Sequence, residues 1–578
     1  MAKKPITHHF LTAAERPSDL VALRFRRHKS WLELSWQEYY RRAEAVAVGL
    51  DSLGIQPGDR VAILANTCWE WAVLDFAIMG IGAVTVPIYQ SSRAEEVEYI
   101  LAHSGARLLI VEDQTQLRKW ESISKRCRGV EKIIVLQSKD TDIKTPHVLL
   151  WDEFLDFGAT AAVKKPEFYK QRLRKSRLDD LATVVYTSGT TGAPKGVRIT
   201  HKQITAEVEA IAKAFPISTQ DSTLSFLPYA HVLGRVELWL HAYVGFTLNI
   251  AEGADRLRQN LRDTRPTAMI AVPRIFEKIF SGVMTEIEGR PLRRGVFQWL
   301  SRGGLRGAKN LVLDKLVFAK LRDSMGGRLR FAVSGGAPLE SKIAEFFNRA
   351  GILVLEGYGL TETTAAITIN TPSANRFGSV GRPLSHVEIK VAEDGEILVK
   401  GDVVSPGYYK DDGESGAFSN GYFHTGDIGE WTADGFLRIT DRKKDLIKTA
   451  GGKYVAPQKL EGLLKLDSLI SHALIHGDRK KYVVALLTLD EEAAKKLARR
   501  RGWTFRDFKS LTQTHEMRDH VRKIVAQTNS QLSSFETIKQ FAILPQDFSV
   551  ESGELTPSLK VKRRVCDERY RDTLEALY

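Results

Sequence analysis

An apolar strand-like run at 183–186 opens onto Thr187-Ser188-Gly189-Thr190-Thr191-Gly192-Ala193-Pro194-Lys195-Gly196, a loop of hydroxyls and glycines that closes on a lysine. Such a loop suits an anion. Gly189, Gly192 and Gly196 let backbone N–H groups come close, the hydroxyls of Thr187, Ser188, Thr190 and Thr191 donate to phosphate oxygens, and Lys195 adds positive charge. A single Gly-x-x-Gly would read as a surface turn; repeated hydroxyl and glycine pairs behind a strand, ending in lysine, argue against that. The spacing is not that of a Walker A loop, because Pro194 stands where that pattern needs the glycine before Lys-Ser/Thr. Gly357-Tyr358-Gly359 is no dinucleotide fingerprint either, since Glu362 occupies the third glycine position.

The elements that must position this loop follow from hydrophobic periodicity. Strand-like runs at 60–65, 83–87 and 107–111 alternate with a nearly all-apolar helix at 69–79 and an amphipathic helix at 94–103, which predicts a parallel, right-handed α/β sheet. Residues 163–180 are charged and weakly periodic, and read as an exposed connection. After Ile367 the pattern changes to short strands at 385–391 and 396–400, with turn signals at Glu393-Asp394-Gly395, Asn420-Gly421 and Asp434-Gly435, an antiparallel β module. The run Asp441-Arg442-Lys443-Lys444-Asp445 precedes a return to α/β alternation, and a domain boundary is placed there, giving units of 1–440 and 441–578. The expected class is α/β: a large N-terminal domain of parallel sheets plus the β module, and a small mobile α+β C-terminal domain.

Further strings join the phosphate loop in a fixed order. Ser334-Gly335-Gly336-Ala337-Pro338, Tyr358-Gly359-Leu360-Thr361-Glu362-Thr363, His424-Thr425-Gly426-Asp427 and the 441–445 run, with Tyr186-Thr187-Ser188-Gly189-Thr190-Thr191-Gly192, resemble the signature of the adenylate-forming superfamily of acyl-CoA synthetases, luciferases and adenylation domains. The resemblance covers about residues 30–565. It implies ATP, Mg²⁺ and coenzyme A as reaction partners. Thr190 and Glu362 would hold the metal; Thr361 and residues 187–195 the phosphates; Gly335, Gly336, Ala337, Glu356, Gly357, Tyr358 and Gly359 the adenine side; and Asp427, Ile439 and Arg442 the nucleoside. Joining a carboxylate to the α-phosphate of ATP needs a metal, hydroxyls and cations around a leaving pyrophosphate, and the sequence carries these residue types.

Two further positions carry the chemistry by resemblance. The family's adenylation lysine falls in Leu555-Thr556-Pro557-Ser558-Leu559-Lys560-Val561-Lys562, with Leu559 where the family has glycine; Lys560 is the first choice and Lys562 the alternative. His231, in Leu227-Pro228-Tyr229-Ala230-His231, lies beside the acyl carboxylate in the family, where an imidazole orients it or donates to it. The 441–445 hinge, charged and expected to be exposed, would rotate the C-terminal domain between half-reactions. Residues Lys448, Gly451, Gly452 and Lys453 would then meet CoA.

An alkyl chain needs an apolar pocket. Residues 233–246, with Trp239, Leu240, Tyr243 and Phe246, and residues 366–369 are the candidates, and neither holds the charged residue that an amino-acid-activating domain would use against a substrate ammonium. Long-chain fatty acid is the expected substrate. The alternatives are an acyl-AMP ligase serving a carrier protein, a medium-chain or aryl acid CoA ligase, and a non-catalytic binding relative.

The 578 residues are 43% hydrophobic and 27% charged, which excludes a disordered or fibrous chain. Cys68, Cys127 and Cys566 are far apart and odd in number, against a disulfide framework or zinc site and for a reducing, cytoplasmic location. Neither a signal peptide nor an apolar run of about 18 residues is evident. The net charge of +14 concentrates as +9 in 290–330 and +8 in 441–578, leaving −3 elsewhere. That distribution argues against nucleic acid. It suits polyanionic ATP and CoA at the C-terminal domain, and an anionic membrane surface at 290–330, placing the protein peripherally on the inner membrane face.

Overall fold

The computed structural model describes the chain except residues 1–2, 138–146, 188–192, 254, 289–317, 412–415 and 557–558, with no side chains described at 285–288. A seven-stranded sheet runs in the order Val148–Leu150, Lys132–Val135, Leu108–Val111, Arg60–Leu64, Val84–Ile88, Leu181–Thr187, Lys195–Thr200. All its neighbours are parallel except the last pair, where the chain reverses across the phosphate loop. A nine-stranded sheet has a parallel centre, from Leu353–Tyr358 to Val21–Arg27, with antiparallel strands at both edges. The helix Trp69–Gly80 is buried from Trp71 through Gly80, as its apolar faces require, and belongs to the largest apolar cluster, which draws on both sheets.

Residues 163–180 depart from expectation. Instead of an exposed connection they contain the helix Phe168–Lys175, whose Tyr169 and Leu173 are fully buried. Tyr169 lies on Gly80, where an added Cβ would stand 2.4 Å from its ring, and donates its hydroxyl to the Phe76 carbonyl at 2.9 Å. Two anchors at i and i+4 suffice to dock a helix that is otherwise charged.

The antiparallel module is as the turn signals require: Val387–Val391, Glu396–Gly401, Tyr422–Trp431 and Phe418–Ser419 in order, with Leu437–Arg442 beside Tyr422–Trp431. Asn420 and Gly421 both have positive φ, the conformation of a two-residue hairpin turn. Residues beyond the module build a three-stranded sheet, Ile470–His476, Val483–Leu489 and Ile538–Ile543, with two apolar clusters of their own. The expected hinge is partly inside the module. Its last strand runs through Asp441 and Arg442, and the chain turns at 443–445. Asp441, expected to be exposed, is 1% exposed. It accepts from the backbone N–H of Arg442 at 2.6 Å and faces that of Gln458, at the first turn of helix Pro457–Leu464, at 3.4 Å.

Candidate active site

The strand Leu181–Thr187 delivers Thr187 to the edge of the site, and Lys195 on the returning strand is its register partner. Ser188, Gly189, Thr190, Thr191 and Gly192 lie outside the described residues. Lys195 Nζ stands 4.9 Å above the Tyr408 ring, and the Tyr408 hydroxyl donates to Glu362 Oε1 at 2.8 Å. A cation over a ring whose hydroxyl holds a carboxylate joins the phosphate lysine to the proposed metal ligand. Burial raises the Glu362 carboxyl above its usual range, against the Tyr408 bond and the nearby Arg442. Tyr408 was not singled out in the sequence.

Asp427 and Arg442 are directly opposite on neighbouring antiparallel strands and pair at 3.1 Å. The Tyr358 hydroxyl donates to the other Asp427 oxygen at 2.7 Å. Ile439, on the same strand as Arg442, packs in the cluster that includes Tyr358. Gly335 faces Leu233, 3.5 Å from a built Cβ, and the Gly357 carbonyl, so the loop Gly335-Gly336-Ala337 meets both Leu353–Tyr358 and the start of helix Val232–Val244. Gly359 admits no side chain: a Cβ would lie 1.4 Å from the Ala365 carbonyl oxygen. The Glu356 carboxyl, raised by burial to about 7, accepts from Leu339 N–H at 3.3 Å. Thr361 opens the short 3-10 turn Thr361–Thr363 that carries Glu362.

His231 is the N-cap of helix Val232–Val244. Its Nδ1 accepts from Leu233 N–H at 3.0 Å, which leaves the proton of a neutral ring on Nε2. Burial, and then the charge of Lys560, push its pKa down to about 4. Around neutral pH it is a hydrogen-bond donor and not a cation. Thr67 fixes the segment before it, donating to the Leu227 carbonyl at 2.6 Å and accepting from Tyr229 N–H at 3.2 Å.

The helix Val232–Val244, expected to line an apolar acyl pocket, is a core element buried from Gly234 through Ala242. Arg235, Glu237 and His241 are fully buried. Arg235 pairs with Asp75 at 2.5 Å and donates to Thr183 Oγ1 at 2.6 Å; Trp239 Nε1 and Thr85 Oγ1 also donate to Asp75, at 3.0 and 2.9 Å. Burial raises the Glu237 carboxyl to about 7. Hydropathy does not reveal an ion pair that is satisfied inside a helix-sheet sandwich.

Lys560 comes from the other side. It sits in a loop in which Val561 bridges Leu555 and Thr556 N–H donates to the Lys560 carbonyl at 2.8 Å. Burial and Arg442 lower its pKa to about 8, while Asp427 and Glu362 act in the opposite direction. The charged groups that act on this exposed lysine are thus Arg442, Asp427 and Glu362. Leu559 has φ 61°, a left-handed conformation costing an L-residue roughly 1–2 kcal/mol, which explains why glycine suits this position. Lys562 faces elsewhere, 3.6 Å from Glu96. The proposed CoA residues are not brought to the site. Lys448, Gly451, Gly452 and Lys453 belong to the exposed hairpin formed by Ile447–Lys448 and Tyr454–Val455, whose backbone bonds reach Asp478, Arg479 and Lys480.

Comparison with known proteins matches this geometry to one class. Residues 10–409 match the AMP-binding enzyme family and residues 444–578 the AMP-binding enzyme C-terminal domain. The chain belongs to the AMP-binding, adenylate-forming family. Within it, the chain is 37% identical over 571 residues to the long-chain-fatty-acid–CoA ligase FadD15 of Mycobacterium tuberculosis, covering 95% of this chain and 92% of that one. It is 31% identical to fatty acyl-CoA synthetase B of Dictyostelium discoideum, over 94% and 85% of the two chains. Among solved structures, the adenylation domain of a carboxylate reductase from Mycobacterium chelonae superposes with a TM-score of 0.76 at 22% identity, covering all of this chain and 91% of that one. That likeness supports the fold alone.

Proposed function

We propose that this enzyme activates a long-chain fatty acid with ATP, forming acyl-AMP and releasing pyrophosphate, and then passes the acyl group to the thiol of CoA, releasing AMP. The observation that carries the reading is the joined set Lys195–Tyr408–Glu362 and Tyr358–Asp427–Arg442, in a chain resembling long-chain-fatty-acid–CoA ligases over nearly its whole length.

In the first step a carboxylate oxygen attacks the α-phosphorus as the bond to pyrophosphate breaks. Lys560 and Lys195 offset the charge on the phosphates, Asp427 and Arg442 hold the ribose hydroxyls, Tyr358 stacks on the adenine, and His231 Nε2–H orients the acid. The half-buried carboxylate of Glu362 fits a divalent cation, since Mg²⁺ is commonly held by one or two carboxylates plus substrate phosphates. Glu362 and Thr190 would hold it, and it would neutralise charge on the leaving pyrophosphate. In the second step the thiolate attacks the acyl carbonyl and AMP leaves. Lys560 must by then withdraw, through rotation about residues 441–445, and the 448–453 hairpin would approach the thiol channel.

Incubating the protein with ATP, Mg²⁺ and palmitate, octanoate or benzoate, with and without CoA, and measuring AMP and acyl-CoA, tests this reading. CoA-dependent AMP release greatest with palmitate is expected. Absence of such release with every acid would overturn the ligase reading, and acyl-AMP that accumulates without thioester would favour delivery to a carrier protein. An anionic membrane surface as partner rests on the composition of 290–330 alone, most of which lies outside the described residues. Among the described residues no helix is long and apolar enough to cross a membrane. Liposome sedimentation that depends on anionic lipid is the corresponding test.

A further inference from the structure

The loop that delivers Lys560 carries a second cation with a different destination. Within Lys560-Val561-Lys562, Val561 bridges back to Leu555 of its own unit. Val561 packs into the C-terminal apolar cluster, while both lysines face N-terminal residues. Lys562 Nζ lies 3.6 Å from Glu96 Oε1, with the two side chains 18% and 19% exposed. Glu96 stands in the first turn of helix Ala94–Ser104, where its Oε2 also accepts from Arg93 N–H at 3.2 Å. Arg93 Nη2 is 4.0 Å from the same carboxylate. Lys119 lies nearby, donating to the carbonyls of Gln90 and Ser92 at 2.7 and 2.8 Å.

A helix N-terminus is the wrong end for a cation, because its free N–H groups carry partial positive charge. Arg93 and Lys119 add to that repulsion. The carboxylates of that first turn, Glu95 and Glu96, offset this, and Glu96 is the one that Lys562 meets.

We propose that Glu96 and Lys562 form a positioning pair that fixes the Lys560 loop over the phosphates during adenylation and has no part in thioester formation. The proposal rests on the reading of Lys560 as the adenylation lysine. Lys562 touches none of the reacting groups. Its anchor lies two residues from the ammonium that does, so freedom at Lys562 becomes freedom at Lys560. When the C-terminal unit rotates away, the pair separates and both ions regain water, so the contact biases the equilibrium toward one arrangement only.

A double-mutant cycle tests this. Glu96→Gln keeps an acceptor for the Arg93 N–H and so keeps the helix cap; Lys562→Met keeps the alkyl stem. Each single change is expected to slow single-turnover acyl-AMP formation about threefold to tenfold, the range for a partly buried ion pair, and the double variant to be no slower than the slower single one. Thioester formation from supplied acyl-AMP and CoA is expected to stay at the wild-type rate. Unchanged acyl-AMP formation, additive losses, or an equal fall in both half-reactions would each overturn the proposal. Förster transfer between dyes on the two units supplies a readout that needs no chemistry: the two single variants should lower the population of this arrangement non-additively. A wild-type chain that formed no acyl-AMP with any acid would remove the ligase reading, whereas the transfer measurement would still judge the pair.

Discussion

Lys560 is exposed as a residue, but crowding of its ammonium end by protein atoms, beside Arg442, makes it lose its proton more readily than one in solution, and two carboxylates only partly offset this. A lysine with a lowered pKa is charged below that value and neutral above it. The kcat/KM for acyl-AMP formation, which reports the free enzyme, is therefore expected to fall as pH rises through about 8. Lys560→Arg should remove that alkaline limb while lowering the plateau, as read from a pH profile of pyrophosphate release. His231, already neutral above about 4, should add no limb between pH 5 and 8. Tyr408→Phe removes the hydroxyl that supports Glu362. Losing a hydrogen bond to a charged group costs about 1.5–3 kcal/mol, so roughly a tenfold or greater loss of adenylation, with a raised Mg²⁺ requirement, is expected in a metal titration. Most of the site was legible because its residues sit in ordered motifs. The choice between Lys560 and Lys562 was not, since identical side chains two positions apart differ only in what they meet. Tyr408 gave no signal, because a tyrosine in Gly407-Tyr408-Tyr409 has no spacing that distinguishes support from packing.

Strand and helix alternation at 60–111 appears in the structure to within a residue or two, because apolar runs between parallel layers leave little ambiguity about period. The helix Phe168–Lys175 was hidden because three apolar residues, Phe168, Tyr169 and Leu173, among basic ones carry a weak period. Residues 233–246 were read as an apolar pocket wall, because their aromatic and aliphatic content does not distinguish a pocket lining from the helix Val232–Val244 packed in the core around an internal ion pair. That pair joins the strand ending at Thr187 to the helix beginning after His231, through Thr183 and Arg235. Arg235→Met would leave Asp75 charged and buried without its partner, at a cost of about 3–5 kcal/mol. Chemical denaturation should show that loss. Asp75→Asn combined with Arg235→Met should restore much of it, because no uncompensated charge then remains.

For the molecule as a whole, the cations of the C-terminal unit are less free than the net charge of 441–578 suggested. Lys443 pairs with Asp394 and Glu396 at 2.7 and 2.8 Å, and Arg563 with Glu461 at 2.8 Å. Lys560→Ala is expected to abolish acyl-AMP formation and to spare thioester formation from supplied acyl-AMP, measured as acyl-CoA. Loss of only the second step would show the lysine to be misplaced. The hinge carries its own pH dependence. Burial raises the Asp441 carboxyl to about 7, opposed by its backbone bonds and by Arg563 and reinforced by Glu461. A rotation that hydrates Asp441 returns it toward 3.8, so this arrangement binds the extra proton and is favoured at low pH. Its population should fall as pH rises from about 4 to about 7, followed by Förster transfer across the hinge.

Lys560-Val561-Lys562 is held at two neighbouring points, Val561 against its own unit's apolar cluster and Lys562 at Glu96, and that makes the stretch intolerant of a change in length. One extended residue inserted between the lysines would lengthen the span by about 3.3 Å and two by about 6–7 Å, more than a lysine can absorb without leaving Glu96 or the phosphates. Drift in this segment should therefore run through substitutions and not through insertions or deletions, although it ends beside an exposed loop where indels are ordinarily cheap.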